Sequence, residues 1–206
     1  MDEVVTGFRT SRTGASGYYG VVPDLSTHAK ILGGGLPGAC VAGKADILAM
    51  CQLRDDPAWN SHGRVSHNGT FNANPLSAAA GVTALRIVRD ESVNDVATER
   101  ASQLKTGLNE ILTRKEIPGI ATGIASIVFL RIGLDVDNED ALYDVPIDDI
   151  EPRSDLKKLG GLAMYNHGVD GFDRFLLSAA HSEDDIAATV EAVGATIDDF
   201  RNDGLL

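Results

Sequence analysis

Residues 30 to 37 read Lys-Ile-Leu-Gly-Gly-Gly-Leu-Pro, and no other stretch limits the fold as much as these three consecutive glycines. Without β-carbons the backbone adopts left-handed dihedrals at little cost, and it can also lie hard against a neighbouring surface. The stretch therefore predicts a sharp turn, with a ligand as one candidate for the surface it meets. Taken alone, a Gly-rich tripeptide beside a solvated lysine is equally a flexible surface loop. What surrounds it decides between the two.

Upstream, residues 11 to 20 are rich in Gly, Ser, Thr and Tyr and read as a loop. Residues 23 to 32 are mixed, with Ala29, Ile31 and Leu32 placed on a strand that runs into the glycines. Gly38 to Gly43 has the small and apolar residues of a buried strand, and Lys44 to Cys51 suits a short helix. Residues 54 to 74 carry Pro57, Gly63, Gly69, His62 and His67 and read as a long loop, a kind of segment that tends to be functional. Asn74-Pro75 then opens the clearest helix, which is apolar on most sides up to Arg89 and is expected in the core or at a subunit interface.

A second helix, from residue 91 or 92 to Lys115, has Val93, Val96, Ala97, Leu104, Leu108, Ile111 and Leu112 on one stripe. Ile124 to Ile132 is the best strand, and residues 135 to 152 form an acidic excursion. A helix over 155–166, a strand over 174–177 and a closing helix over 182–200 follow. Ser182 suits the cap of that last helix, with Glu183, Asp184 and Asp185 in its first turn, where the dipole favours negative charge. The fold class is therefore α/β, with a glycine-rich first part over 1–110 and an α+β second part over 111–206.

At 206 residues the chain can bury a sizeable core. Its 30 acidic and 18 basic side chains leave a net charge of -12, which argues against nucleic acid or an anionic membrane surface as partner. Cys40 and Cys51 are too few for a disulfide framework, so a reducing compartment is expected. No apolar run approaches the length that spans a bilayer, and the start, Met1-Asp2-Glu3, is acidic where a signal peptide would be basic. A cytoplasmic protein is the expectation. The chain enters motif-like sequence at once, as the middle of a longer protein would.

Two glycine motifs overlap the central stretch. Gly33-x-Gly35-x-x-Gly38 satisfies the dinucleotide fingerprint, with Asp55 at about the distance of a ribose partner, but Pro37 precedes the third glycine and a strand rather than a helix should follow. Gly38-x-x-x-x-Gly43-Lys44 matches a phosphate-binding loop, but Ala45 stands where a hydroxyl should reach magnesium. Asp135-x-Asp137-x-Glu139 lacks the glycine and closing glutamate of a calcium loop, and His62 and His67 have no further zinc ligands nearby, so no metal site is expected. His28, His167 and His181 read as structural or surface residues.

Three stretches account for more when taken together: Asp2-Glu3-Val4-Val5-Thr6-Gly7-Phe8-Arg9, Lys30 to Pro37, and Gly69-Thr70-Phe71-Asn72-Ala73-Asn74-Pro75-Leu76. Their order and spacing resemble those of class III pyridoxal-phosphate-dependent aminotransferases, closest to the glutamate-1-semialdehyde 2,1-aminomutase branch. Leu177 to Ile186 is similar to that branch as well. The resemblance covers essentially the whole chain but only the C-terminal half of the family's usual length.

The resemblance implies a fold type I enzyme, with the C-terminal part of the large cofactor-binding domain over 1–110 and a small C-terminal domain over 111–206. The implied cofactor is pyridoxal 5'-phosphate. Lys30 would form a Schiff base with its aldehyde and then shuttle protons at the substrate α-carbon. Asp2 would keep the pyridine nitrogen protonated, with Glu3 as a structural neighbour. Thr70 would bind the phosphate of the neighbouring subunit's cofactor, so that a homodimer shares its active sites. The implied substrates are an amine or amino acid and an oxo acid or semialdehyde. The resemblance also leaves open a non-catalytic remnant or dimerisation partner, because the first strands of the large domain, the usual phosphate cradle and the ring-stacking aromatic are not in this sequence.

Overall fold

The computed structural model describes residues 1–206. By internal contacts the chain divides into a first unit, Met1–Ser92, and a second unit, Val93–Leu206. The sequence places the change of character at 110, within the long second helix. In the structure that helix belongs whole to the second unit, because its apolar stripe is buried there from Ala97 to Leu112.

The first unit holds a three-stranded sheet, β1 (Asp2–Glu3), β2 (Leu25–His28) and β3 (Cys40–Gly43), in that spatial order. β1 and β2 are parallel, with Asp2 opposite Thr27 and Glu3 opposite His28. β2 and β3 are antiparallel, from Leu25 opposite Gly43 to His28 opposite Cys40. All four residues of β3 are exposed, whereas the sequence predicts a buried strand. The physical reason is position: β3 is an edge, and small apolar residues do not show in a sequence whether a neighbour covers them.

Between β1 and β2 the chain forms a short helix, α1 (Gly14–Tyr19), where the composition predicts a loop. Its start is held by an acceptor far away in sequence. The Glu3 carboxylate accepts hydrogen bonds from the backbone amides of Ala15 and Ser16 at 3.0 and 2.6 Å. The helix ends at Gly20, which takes a left-handed φ of 67°.

After β3 come a four-residue helix, α2 (Ala45–Leu48), and irregular chain leading to α3 (Pro75–Asp90). Asn74 caps α3: its side chain accepts from the amides of Leu76 and Ser77 at 3.0 and 3.1 Å, and Pro75 fills the first turn, where its missing donor is no loss. Only Gly81 and Val88 of α3 are buried. Of the two places expected for this helix, core or subunit interface, the core of this chain is not where it lies, since the apolar faces of α3 are largely open to solvent.

The second unit is conventionally packed. Helix α4 (Val93–Arg114) lies against an antiparallel sheet, β4 (Gly119–Ile124), β5 (Ile127–Ile132) and β6 (Arg174–Leu176), with α5 (Asp155–Asn166) and α6 (Glu183–Asn202) completing the layer. Leu104, Leu108, Met164, Val193 and Ile197 are fully buried in its core. Backbones approach closely where α4 meets α6, since a β-carbon on Gly107 would lie 2.8 Å from Val190. Phe172 and Phe200 meet edge to face at 5.8 Å.

The single strand predicted over 124–132 is instead the end of β4, a two-residue turn and β5, with Ile124 opposite Ile127. The turn is Ala125-Ser126, and Ala125 takes φ 48°, a left-handed first position that glycine usually fills. An unusual turn sequence hid the hairpin. At the end of the chain the sequence signal is fully realised: Ser182 accepts from the Asp185 amide while the Asp185 carboxylate accepts from the Ser182 amide, a reciprocal capping box. No helix of the structure is long and apolar enough to cross a membrane.

Candidate active site around Lys30

β2 ends at His28, and after the extended Ala29 the backbone turns at Lys30, the first residue of a 3-10 turn over Lys30–Gly33. Lys30 itself has φ 52°. A left-handed lysine costs roughly 1–2 kcal/mol and persists only where the surroundings fix it. Here the turn is held by successive amides, Leu32 to the Ala29 carbonyl at 3.1 Å, Gly34 to Ile31 at 3.0 Å and Leu36 to Gly33 at 3.1 Å. The Lys30 side chain is exposed and forms no ion pair or hydrogen bond within the chain.

The glycines meet a helix. A β-carbon on Gly34 would lie 2.4 Å from the carbonyl oxygen of Ala80 in α3, and one on Gly81 would lie 2.4 Å from the carbonyl oxygen of Leu32. Gly34 and Gly35 have left-handed φ values of 59° and 89°. The triplet thus serves two ends, a turn immediately after Lys30 and backbone contact with α3. Gly81, a glycine inside a helix, is the mark this contact leaves in the sequence.

Asp2 stands on β1, the parallel neighbour of the strand that leads to Lys30. It is exposed, and its Oδ1 accepts from the Val4 amide at 2.8 Å and from the Thr27 hydroxyl at 3.4 Å. Those bonds fix the orientation of the carboxylate and leave it room for a further donor. Glu3 points the other way. It is 0% exposed and accepts from the Thr6 hydroxyl at 2.5 Å as well as from the start of α1. Burial alone would raise its pKa, but the bonds from Thr6, Ser16 and Ala15 outweigh it and bring the carboxyl down to about 2. A β-carbon on Gly14 would lie 2.7 Å from that carboxylate, so the glycine there makes space for the acid.

Thr70 lies in the exposed turn before α3, and no hydrogen bond joins it to Asp2 or Lys30. Strand pairing therefore places the aspartate beside the strand that leads into the lysine turn, and Thr70 is on neither. His28 binds the Ser26 hydroxyl through Nε2 at 2.8 Å, while its Nδ1 is buried without a partner. His181 Nδ1 accepts from the Ser178 amide at 3.0 Å and secures the turn before α6.

Neither rival glycine motif has its required context. Gly33 to Gly38 follows a 3-10 turn and precedes a strand, and Cys40–Gly43 is itself that strand rather than a phosphate-cradling loop. Lys44 is ion-paired with Asp24. Glu139, in the acidic excursion, is engaged with Lys105 and with the Gly123 amide.

A family model described as aminotransferase class-III matches residues 1–127, the stretch that contains Asp2, Lys30, the glycine triplet and Thr70. The chain belongs to the class-III aminotransferase family. Among curated relatives, the glutamate-1-semialdehyde 2,1-aminomutase of Methanococcoides burtonii is 33% identical over 205 residues, covering 96% of this chain and 44% of the relative. That of Sulfurisphaera tokodaii is 32% identical, covering 97% of this chain and 45% of the relative. Among solved structures, an omega-transaminase from Sphaerobacter thermophilus superposes with a TM-score of 0.76 at 30% identity, over 97% of this chain and 44% of that one. This class-III aminotransferase chain thus spans less than half the length of the relatives it matches.

Proposed function

We propose that this chain carries the lysine and the acidic partner of a pyridoxal-phosphate-dependent aminotransferase or aminomutase like glutamate-1-semialdehyde 2,1-aminomutase. The observation that carries the reading is Lys30: an exposed, unpaired amine on a left-handed residue, one strand away from an oriented carboxylate, within the stretch that the class-III family model matches. The donor set fits the cofactor in two respects. Lys30 offers a free primary amine, and Asp2 offers a carboxylate whose Oδ1 is anchored by Val4 and Thr27.

When bound, pyridoxal 5'-phosphate supplies an aldehyde and an electron-withdrawing ring that takes up negative charge developed at a substrate α-carbon. Lys30 would hold the aldehyde carbon through Nζ and, once displaced by a substrate amine, carry a proton to and from the α-carbon. Asp2 would accept a hydrogen bond from the ring nitrogen and keep its proton in place. The anchoring bonds from Val4 and Thr27 spare the carboxylate reorientation during the reaction. Glu3 would act at one remove, fixing β1 to α1 and so the position of Asp2.

The proposal extends to Thr70 as a donor to the phosphate of the neighbouring subunit's cofactor in a homodimer. The first unit would be the C-terminal part of a large cofactor-binding domain and the second a small C-terminal domain. The substrates would be an amine or amino acid and an oxo acid or semialdehyde, used in the cytoplasm. The test uses the 206-residue chain with added pyridoxal 5'-phosphate, borohydride reduction, and peptide mass spectrometry. The expected result is a reduced pyridoxyl adduct on Lys30 that Lys30→Ala abolishes without moving the label to Lys44. Folded protein labelled equally at Lys30 and Lys44 refutes the assignment.

A further inference from the structure

Lys30 is not the only residue of the first unit that carries a side chain on a left-handed backbone. Phe8, in the turn that follows β1, has φ 60°, against 52° for Lys30. Such residues persist only where their surroundings hold them, and they gather at functional sites. The turn of Phe8 leads away from Asp2, and the turn of Lys30 leads away from β2. One side chain joins the two.

That side chain is His28. It ends β2, two residues before Lys30, and it pairs with Glu3 on β1 and with Cys40 on β3. Paired residues share a face of a sheet, so Glu3, His28 and Cys40 lie on one face, and Asp2, Thr27 and Val41 on the other. His28 therefore acts from the face away from the Asp2 carboxylate. Its ring centroid is 5.5 Å from that of Phe8. Its Nδ1 is buried against Gly7, where a β-carbon would stand 2.8 Å from that nitrogen. Its Nε2 is 2.8 Å from the hydroxyl of Ser26, two residues back on the same face.

The bond to Ser26 sets both the proton and the aim of the ring. Buried Nδ1 has no hydrogen-bond partner, so the neutral imidazole carries its proton on Nε2 and donates it to Ser26 Oγ. Held that way, the ring presses on the turn after β1, whose amides bond in sequence: Gly7 to the Glu3 carbonyl at 2.9 Å, and Arg9 and Thr10 to the Thr6 carbonyl at 3.1 Å. A ring freed from Ser26 releases Phe8 from its left-handed φ, and with it the turn that begins beside Asp2.

We propose that His28, clamped by Ser26, is a positioning residue that sets the turn after Asp2 against the strand delivering Lys30, so that acid and amine keep one spacing. The inference rests on Lys30 being the lysine that holds the cofactor. His28 does not touch the cofactor. Its effect falls on how fast Lys30 reacts rather than on how tightly the cofactor binds, because misplacing a reacting group costs rate.

The experiment compares the 206-residue parent with His28→Phe, which keeps a ring and loses the bond, with Ser26→Ala, and with Ser26→Thr, which keeps the hydroxyl. Amide hydrogen exchange is read without cofactor. The rate of borohydride-fixed pyridoxyl labelling at Lys30 is then read against the concentration of pyridoxal 5'-phosphate. His28→Phe and Ser26→Ala should each quicken exchange about tenfold at residues 7–10 and 32–34, with residues 76–90 and 93–206 as in the parent. Each should lower the maximal labelling rate about tenfold and leave the half-saturating concentration within about twofold. Ser26→Thr should restore both. Unchanged exchange at either turn overturns the proposal, as does an unchanged labelling rate. Exchange quickened evenly over residues 1–92 also overturns it, since His28 would then be a general stabiliser. A parent chain that takes no label at Lys30 overturns the assignment of the lysine instead, and the exchange result still decides whether His28 couples the two turns.

Discussion

Replacing Glu3 by Gln is the sharpest available probe of the first unit, because one carboxylate there ties β1 to α1. The side chain is fully buried and accepts from Thr6, Ala15 and Ser16. Its pKa falls from 4.5 to about 2 on folding, a preference for the charged form worth about 3 kcal/mol at 1.36 kcal/mol per unit. A depressed carboxylate stabilises the fold fully above its unfolded pKa, here 4.5, and the contribution is lost as pH falls through about 2. Glutamine keeps the shape but turns one acceptor into a donor that faces backbone amides. Glu3→Gln should therefore destabilise the first unit by about 2–3 kcal/mol at pH 7, and the gap to the parent should narrow to about 1 kcal/mol at pH 3. Trp59 is the single tryptophan and lies in the first unit, so urea titrations followed by its fluorescence isolate the effect. Equal midpoints at pH 7, or a gap as wide at pH 3 as at pH 7, would show that the Glu3 charge does not hold this region together.

Gly34→Ala puts a β-carbon 2.4 Å from the Ala80 carbonyl oxygen and strains a left-handed residue, so a loss of about 2–4 kcal/mol is expected, with reduced pyridoxyl labelling at Lys30; unchanged labelling and melting would refute the contact. Leu108→Ala in the second unit removes a fully buried side chain and should cost about 2–5 kcal/mol in urea unfolding followed by circular dichroism, with the Trp59 transition unmoved. Potassium chloride raised from about 0.1 to about 1 M shortens the Debye length from roughly 10 to 3 Å, and should raise the midpoint of the acidic second unit while leaving that of the neutral first unit in place. A parallel rise in both would assign the effect to general salting-out instead.

What was legible in the sequence follows from how local its causes are. The α6 cap needs only Ser182 and Asp185, three residues apart, and the α5 span from 155 to 166 is set by its own spacing. Both are found where the residues place them. α1 was missed because the acceptor that starts it, Glu3, lies on another element twelve residues away from Ala15. The exposure of β3 has a related reason: a pattern shows which residues could be covered, and only the neighbouring elements decide which are. At the candidate site, the order of motifs points to Asp2 and Lys30, and strand pairing sets Asp2 opposite Thr27 on the strand that leads to Lys30. The left-handed φ of Lys30 had no signature, since nothing about a lysine announces it.

The contact between the glycine turn and α3 limits how this protein can change over generations. Most close contacts in a fold permit exchange, with a larger residue on one side answered by a smaller one on the other. Here both sides, Gly34 and Gly81, are already the smallest residue available, and each faces a carbonyl oxygen of the main chain that cannot be trimmed. A substitution at either has no compensating partner. Positions 34 and 81 should stay fixed while the exposed faces of α3 drift, and the turn that presents Lys30 is tied to the path of a helix more than forty residues further along the chain.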